Sequence, residues 1–191
     1  MSQKGRIFVL SAPSGTGKST VGERVRQRLP RLAYSVSVTT RKPRPGEEHG
    51  KDYFFVSVED FKKRIARGEM AEYAEVYGNY YGTSALVLEE LMDQGKDVFL
   101  DIEIKGAAQI RKSIKDACLI FLLPPSLEEL EKRLRSRGTE TEEEIKKRLD
   151  RVTLEMEQAP LYDYRVVNDD LEKAVEEVCE IIAKGSLGEG R

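Results

Sequence analysis

One stretch near the N-terminus limits the folds open to this chain more than any other. Ala12, Pro13, Ser14, Gly15, Thr16, Gly17, Lys18, Ser19 and Thr20 follow an apolar run, Ile7 to Leu10, and lead into a helical pattern. Strand, glycine-rich turn and helix, in that order, can fold backbone N–H groups around a phosphate chain and aim a positive helix end at it. The spacing fits the phosphate-loop pattern Gly-x-x-x-x-Gly-Lys-Ser/Thr except at its first position, where Ala12 stands in place of glycine. Gly15 and Gly17 let the backbone turn inward, Lys18 reaches the β- and γ-phosphates, and the Ser19 hydroxyl is placed for Mg²⁺. The alternative is an ordinary glycine-rich strand-to-helix turn, and the position between a first strand and an amphipathic helix argues against it.

Further apolar runs at Val98 to Ile102, Cys118 to Leu123 and Arg165 to Val167 alternate with helical patterns, which predicts an α/β fold with a parallel core sheet flanked by helices. Val21, Val25 and Leu29 form one helical stripe, and Leu171, Val175, Val178 and Ile182 form another. Ser126 with Glu129, and Thr141 with Glu144, have capping-box spacing, while Gly68 and Gly95 stand where helices should stop. The α/β rhythm breaks from about Tyr34 to Gly82, where Pro43, Pro45, a tyrosine-rich segment and short alternating strands surround one helix from Val58 to Arg67. This reads as an inserted lobe. A charge-dense segment from Arg133 to Arg151 keeps a thin apolar face, Ile145, Leu149, Val152 and Met156, and reads as a mobile flap. The expected organisation is one domain: core at about 1–33, 96–132 and 160–191, lobe at about 34–95, lid at about 133–159. The tail from Lys184 is expected to fray.

The length of 191 residues suits one domain, and 35% charged against 39% hydrophobic residues excludes the disordered and membrane classes. A net charge of −2 removes a general basic surface, so a nucleic-acid polymer is not an expected partner. Cys118 and Cys179 lack metal-site spacing and read as core residues in a reducing compartment, and the N-terminal apolar run is too short for a signal peptide. A cytoplasmic protein, monomeric or homo-oligomeric, is expected.

Asp101 ends the run Val98 to Leu100, where a parallel sheet opens its ligand crevice. It reads either as a neighbour of hydrated Mg²⁺ or as a solvated strand-end carboxylate. Glu103 would face the same side if the strand continues. In Arg41-Lys-Pro-Arg44-Pro, the prolines favour an extended, three-residue repeat that places both arginines along one edge. Two guanidinium forks so placed can grip a phosphate, and a solvated basic loop fits these residues equally well. Tyr53, Tyr80 and Tyr81 read either as core aromatics or as phosphate donors, and His49 reads as a solvated loop residue.

Several segments together carry a family resemblance: Ser35 to Glu47, Gly50 to Phe55, Gly78 to Gly82, Arg137 to Glu142 and Val167 to Asp170 resemble guanylate kinase, with a match over nearly the whole chain. The resemblance implies a phosphate-loop kinase fold with a GMP-binding lobe and a mobile lid, acting in purine nucleotide metabolism and GMP recycling. It implies transfer from ATP, with Mg²⁺, to GMP and also dGMP. By the same resemblance Arg41, Arg44, Tyr53 and Tyr81 hold the GMP phosphate, and Ser37, Glu72, Thr83 and Glu103 read guanine. Arg137 and Arg148 belong to the lid and reach the transferred phosphoryl group, and Asn168 borders the adenine. An exposed helix pair with Glu144 is the alternative for Arg148, and a solvated position in the Glu69 to Glu75 run is the alternative for Glu72. Relatives that have become protein-binding modules lose phosphate-loop and lid residues, whereas Gly17, Lys18, Ser19, Arg137 and Arg148 are present here. A kinase for another nucleoside monophosphate is the remaining alternative, and the guanine readers oppose it.

Overall fold

A computed structural model describes residues 4–76, 78–135 and 142–186. In chain order the elements are β1 (Ile7–Ser11), α1 (Lys18–Arg28), β2 (Ala33–Tyr34), β3 (Val38–Thr39), β4 (Phe54–Phe55), α2 (Val58–Ala66), β5 (Met70–Val76) and β6 (Asn79–Ser84). They continue with α3 (Ala85–Asp93), β7 (Val98–Asp101), α4 (Ile104–Ser113), β8 (Cys118–Leu123), α5 (Leu127–Arg135), α6 (Glu142–Met156), a 3-10 turn at Ala159–Leu161, β9 (Tyr164–Val167) and α7 (Leu171–Ser186). This is the expected α/β class, with a parallel core sheet flanked by helices. The chain divides into two compact units, one from the described residues of Met1–Ile7 and Arg31–Ala117, the other from those of Phe8–Pro30 and Cys118–Arg191.

In the second unit β1 pairs with β8, and β8 with β9, all parallel. Every residue of β1 is buried, as are the first five of β8, which explains why both read as continuous apolar runs and not as alternating ones. Helix α7 buries Ala174, Val175, Val178, Ile181 and Ile182, and α1 buries Val21, Gly22 and Val25. These are the stripes that the helical spacing marks out. Helix α7 continues to Ser186, past Lys184 where fraying was expected. Ser126 accepts the Glu129 N–H at 3.0 Å, as the capping spacing requires.

In the first unit β2 pairs parallel with β7, while β4-β3-β6-β5 form a separate four-stranded sheet. That second sheet is the break in rhythm seen in the sequence. Gly68 (φ 70°) and Gly95 (φ 74°) end α2 and α3 in left-handed turns, where the N–H of each glycine and of the next residue closes on carbonyls of the last helical turn. Strand β7 stops at Asp101, and Glu103 becomes the N-terminal flanking residue of α4 in extended conformation. The strand therefore ends before Glu103, but the backbone stays extended at Glu103, and burial alternates over half-buried Asp101, buried Ile102 and half-buried Glu103 before α4 begins at Ile104.

Candidate active site

In the second unit the loop after β1 turns on two left-handed glycines, Gly15 (φ 87°) and Gly17 (φ 95°). A side chain is strained at both. At Gly17 a Cβ would also lie 2.8 Å from the Asn168 amide nitrogen. Asn168, 7% exposed, donates that amide to the Thr16 carbonyl at 2.7 Å, while its own N–H bonds Leu123. It thus acts as a brace against the loop from the end of β9. Ala12, Pro13 and Thr16 are buried, and Ser14, Gly15, Gly17 and Lys18 are half-buried. Ser19 and Thr20 are exposed in the first turn of α1.

Helix α1 begins at Lys18 with no acidic side chain in its first turn and Arg26 and Arg28 in its last, so nothing on the helix neutralises its positive N-terminal end. The first N–H groups of a helix have no partners four residues back, and here they belong to the loop. Such an end can hold a phosphate chain. Ser19 offers a hard hydroxyl oxygen beside it, a donor suited to Mg²⁺, which keeps several waters and takes few protein ligands. Among the described residues no group of three or more His, Cys, Asp or Glu could cage a metal.

The loop also has a contact that the motif does not contain. The Ser14 N–H donates to a Glu155 carboxylate oxygen at 3.2 Å, and the Arg151 Nε donates to the other oxygen at 2.7 Å. Glu155 lies near the end of α6, which packs Val152, Leu149 and Met156 with Leu130 of α5. Arg148, also on α6, is half-buried. Arg137 and Thr141 lie outside the described residues, as does the side chain of Glu144.

In the first unit Arg41 lies in a bend, residues 42–44 have no regular structure, and a turn at Pro45 and Gly46 closes with the Glu47 N–H on the Arg44 carbonyl at 3.1 Å. Arg41 makes a two-armed ion pair with Glu47, at 3.0 and 2.8 Å, and one Glu47 oxygen also accepts the Arg44 backbone N–H at 2.7 Å. The guanidinium stands 5.3 Å from the Tyr53 ring centre and 5.9 Å from that of Phe55, and it hydrogen-bonds Tyr81. The Glu47 bond raises the Arg41 pKa, and Arg41, then the Arg44 N–H, hold the Glu47 carboxyl below its ordinary value. Tyr53 and Tyr81 lie with ring centres 6.2 Å apart. Arg41, Tyr53 and Tyr81 are thus gathered in one place, whereas the Arg44 residue is exposed.

Tyr80 belongs elsewhere. Adjacent residues of a strand face opposite sides, and Tyr80 stacks on Phe61 at 5.4 Å and lies beside Glu75, whose negative charge, and then its hydrogen bond, raise the Tyr80 pKa. His49 remains exposed, yet it is more than a solvated side chain: its Nδ1 accepts the Phe55 N–H at 3.2 Å.

Glu72 is 3% exposed, and one of its oxygens accepts the Thr83 hydroxyl at 2.6 Å. A register shift between Met70 and Glu72 sets Glu72 opposite Thr83 across β5 and β6. Glu72 and Ala74 take the buried phase of β5, and Tyr73 and Glu75 take the exposed one, so the solvated reading of Glu72 is excluded. Its second oxygen lies 2.1 Å from where a Cβ on Gly106 would be, which makes the bare glycine in α4 a condition for this side chain. Gln109, one turn further on, accepts the Tyr73 N–H and donates to the Tyr73 carbonyl, fastening α4 to β5. Ser37, half-buried, holds β4 by accepting the Phe54 N–H at its carbonyl. Glu103 and Asp101 are half-buried at the two ends of the β7–α4 connection. Glu47, Gly106, Gln109 and Glu155 are the residues that sequence reasoning did not single out as functional. The only traces of them were Glu47 three residues after Arg44, and Glu155 seven after Arg148 on one helix.

A parallel α/β core whose first strand feeds a left-handed glycine loop and a helix opening on Lys-Ser defines a phosphate-loop protein. Within that class the chain belongs to the guanylate kinase family, whose model matches residues 4–185. A guanylate kinase of Thermosynechococcus vestitus is 54% identical over 173 residues, 91% of each chain. One of Streptococcus thermophilus is 49% identical over 183 residues, 95% of this chain and 88% of the relative. The crystal structure of guanylate kinase from Anaplasma phagocytophilum superposes with a TM-score of 0.79 at 36% identity, covering 97% of this chain and 88% of that one. No helix among the described residues is long and apolar enough to cross a membrane.

Proposed function

We propose that this chain transfers the γ-phosphoryl group of ATP to GMP, and to dGMP, giving ADP and the nucleoside diphosphate, as a cytoplasmic enzyme of purine nucleotide metabolism and GMP recycling. The observation that carries the acceptor assignment is the buried Glu72 carboxylate, bonded to Thr83 and standing on a bare Gly106. Guanine presents N1–H and the N2 amine side by side, a donor pair that a carboxylate can accept. Ser37 and Glu103 complete the reading of the base. Arg41, Arg44, Tyr53 and Tyr81 take the GMP phosphate, with Glu47 presetting the plane of the Arg41 fork.

On the donor side the N–H groups of Gly15 to Ser19 and the Lys18 ammonium hold the β- and γ-phosphates, with Ala12, Pro13, Ser14, Thr16 and Thr20 shaping the loop. Asn168 serves the nucleotide by bracing Thr16. Ser19 is the residue that would hold Mg²⁺, with Asp101 acting through water, and the bound ion would neutralise phosphate charge. Phosphoryl transfer asks little covalent help from the protein; positioning and neutralising spreading negative charge do most of the work. Arg148 and Arg137 supply positive charge for that purpose. The test is ADP release with ATP and Mg²⁺ against a panel of nucleoside monophosphates. GMP and dGMP should turn over and AMP, CMP and UMP should not, and turnover of another monophosphate in preference to GMP overturns the reading.

A further inference from the structure

Helix α6 reaches the phosphate loop through the Glu155 carboxylate, which is not part of the loop motif. Glu155 is 15% exposed at its side chain and divides its two oxygens between the Ser14 N–H and the Arg151 guanidinium. A helix repeats every 3.6 residues, so seven residues bring the chain back to within roughly 20° of the same line. Glu155 therefore lies on the stripe of α6 that carries Arg148, about two turns and ~10 Å further along the axis. Arg151 stands between them on the adjoining line. The stripe of buried Ile145 and Val152 and half-buried Leu149 and Met156 occupies the neighbouring face, and apolar burial is non-directional, so it does not by itself fix the roll of a helix about its axis. A directional bond from Glu155 to a backbone N–H removes that freedom.

We propose that Glu155 is a positioning residue for phosphoryl transfer: by docking α6 on the Ser14 N–H it sets the roll of the helix and so the direction of Arg148. This rests on the reading of Arg148 given above. Two alternatives make different demands. A carboxylate standing in for a nucleotide phosphate should be displaced by the nucleotide, so its removal should tighten ATP binding, whereas a docking contact at the Ser14 N–H should not compete with ATP in this way. A residue needed only for stability should leave the kinetics of the folded enzyme unchanged.

The experiment is a double-mutant cycle on the full chain, with kcat and KM measured for ATP and GMP and melting followed in parallel. Arg148→Ala should lower kcat at least ~100-fold, on the scale of one lost charge contact at the transferred group. Glu155→Ala should lower kcat about 10-fold with KM for GMP unchanged, and Glu155→Gln, whose amide oxygen can accept the same N–H, should recover most of that loss. In the Arg148→Ala background, Glu155→Ala should cost less than 2-fold more, since residues acting as a unit are non-additive. Full additivity, an unchanged kcat in Glu155→Ala, or tighter ATP binding in both Glu155 variants overturns the proposal. An Arg148→Ala enzyme with normal kcat would instead overturn the role given to Arg148. Should Glu155→Ala fail to fold, Glu155→Gln and Glu155→Asp carry the same cycle, with Asp expected to lose activity because its shorter arm misses Ser14.

Discussion

On the proposed reading the phosphate loop and the acceptor site recognise their ligands by opposite means. Residues 12 to 20 are consecutive, and their chemistry is backbone: left-handed glycines, a helix end and one lysine. The proposed acceptor site depends on separate elements, with the Glu72 carboxylate from β5, its partner Thr83 from β6 and the bare backbone of Gly106 in α4. A loop of the first kind depends on its local sequence, whereas a site of the second kind depends on register. The shift between Met70 and Glu72 shows how closely, because one residue of slip would turn Glu72 to the exposed face.

The largest expected effect lies on the loop side. Lys18→Ala should lower kcat/KM by at least ~10²-fold, about 3 kcal/mol of transition-state stabilisation, with the melting temperature unchanged. The lysine serves charge and not packing, since Lys18 begins α1 while Val21 and Val25 fill the core. Normal turnover in the folded variant would break the contrast by making the loop a structural turn.

The lobe is probed by Glu72→Gln. The amide can still accept from Thr83, yet it presents a donor where guanine presents its own, and leaving buried polar groups unpaired is what produces discrimination near ~10⁴ between bases. The variant should narrow the GMP to AMP ratio of kcat/KM by roughly 10²-fold. An unchanged ratio would remove Glu72 from base reading and leave it as a buried strut between β5 and β6.

The same contrast decides what could be read without the fold. The loop, the parallel strands, the stripes of α1 and α7 and the glycine stops were legible because each is a local pattern. Glu72 was not distinguishable from Glu69 or Glu75 by spacing, and only the family resemblance marked it. Its burial depends on a strand bulge and on a glycine in a helix that no period connects to it. Strands β2, β3 and β4 have two residues each, too short for alternation to show. Glu103 lies just past the end of β7, as the extended residue before α4, so strand phase alone could not settle its side. Asn168 was read through the resemblance as an adenine neighbour, and its amide hydrogen-bonds the Thr16 carbonyl, a contact that chain separation hides.

Within the lobe the two arginines differ, which sharpens the comparison at smaller scale. Arg41 is forked onto Glu47 and set among Tyr53, Phe55 and Tyr81, whereas Arg44 is exposed. Lysine keeps the charge but not the planar fork. Arg41→Lys should weaken GMP binding by about 10-fold and Arg44→Lys by about 3-fold, a spacing expected when one guanidinium is preorganised and the other is not. Titration of GMP against each folded variant measures both, and equal losses would show that the Glu47 fork contributes nothing.

The smallest effect is one of pH on stability. The Glu47 carboxyl is held below its ordinary value of 4.5, first by the Arg41 hydrogen bond and then by the Arg44 N–H. A group with a depressed folded pKa binds protons more readily when unfolded, so its contribution is complete above about pH 4.5 and falls away as the pH drops through the lower folded value. The Arg41 pKa is raised and so stays far above this range, which leaves Glu47 as the partner that titrates. The two side chains keep 15% and 20% of their exposure, so solvent screens part of the interaction and the change in melting temperature should be small. Melting curves of the unaltered chain and Glu47→Gln should be separated by a constant gap from pH 7 to 5 that closes below about pH 4.5. A gap that persists undiminished to pH 3 would mean that the Arg44 turn, and not the charge on Glu47, holds this corner of the lobe.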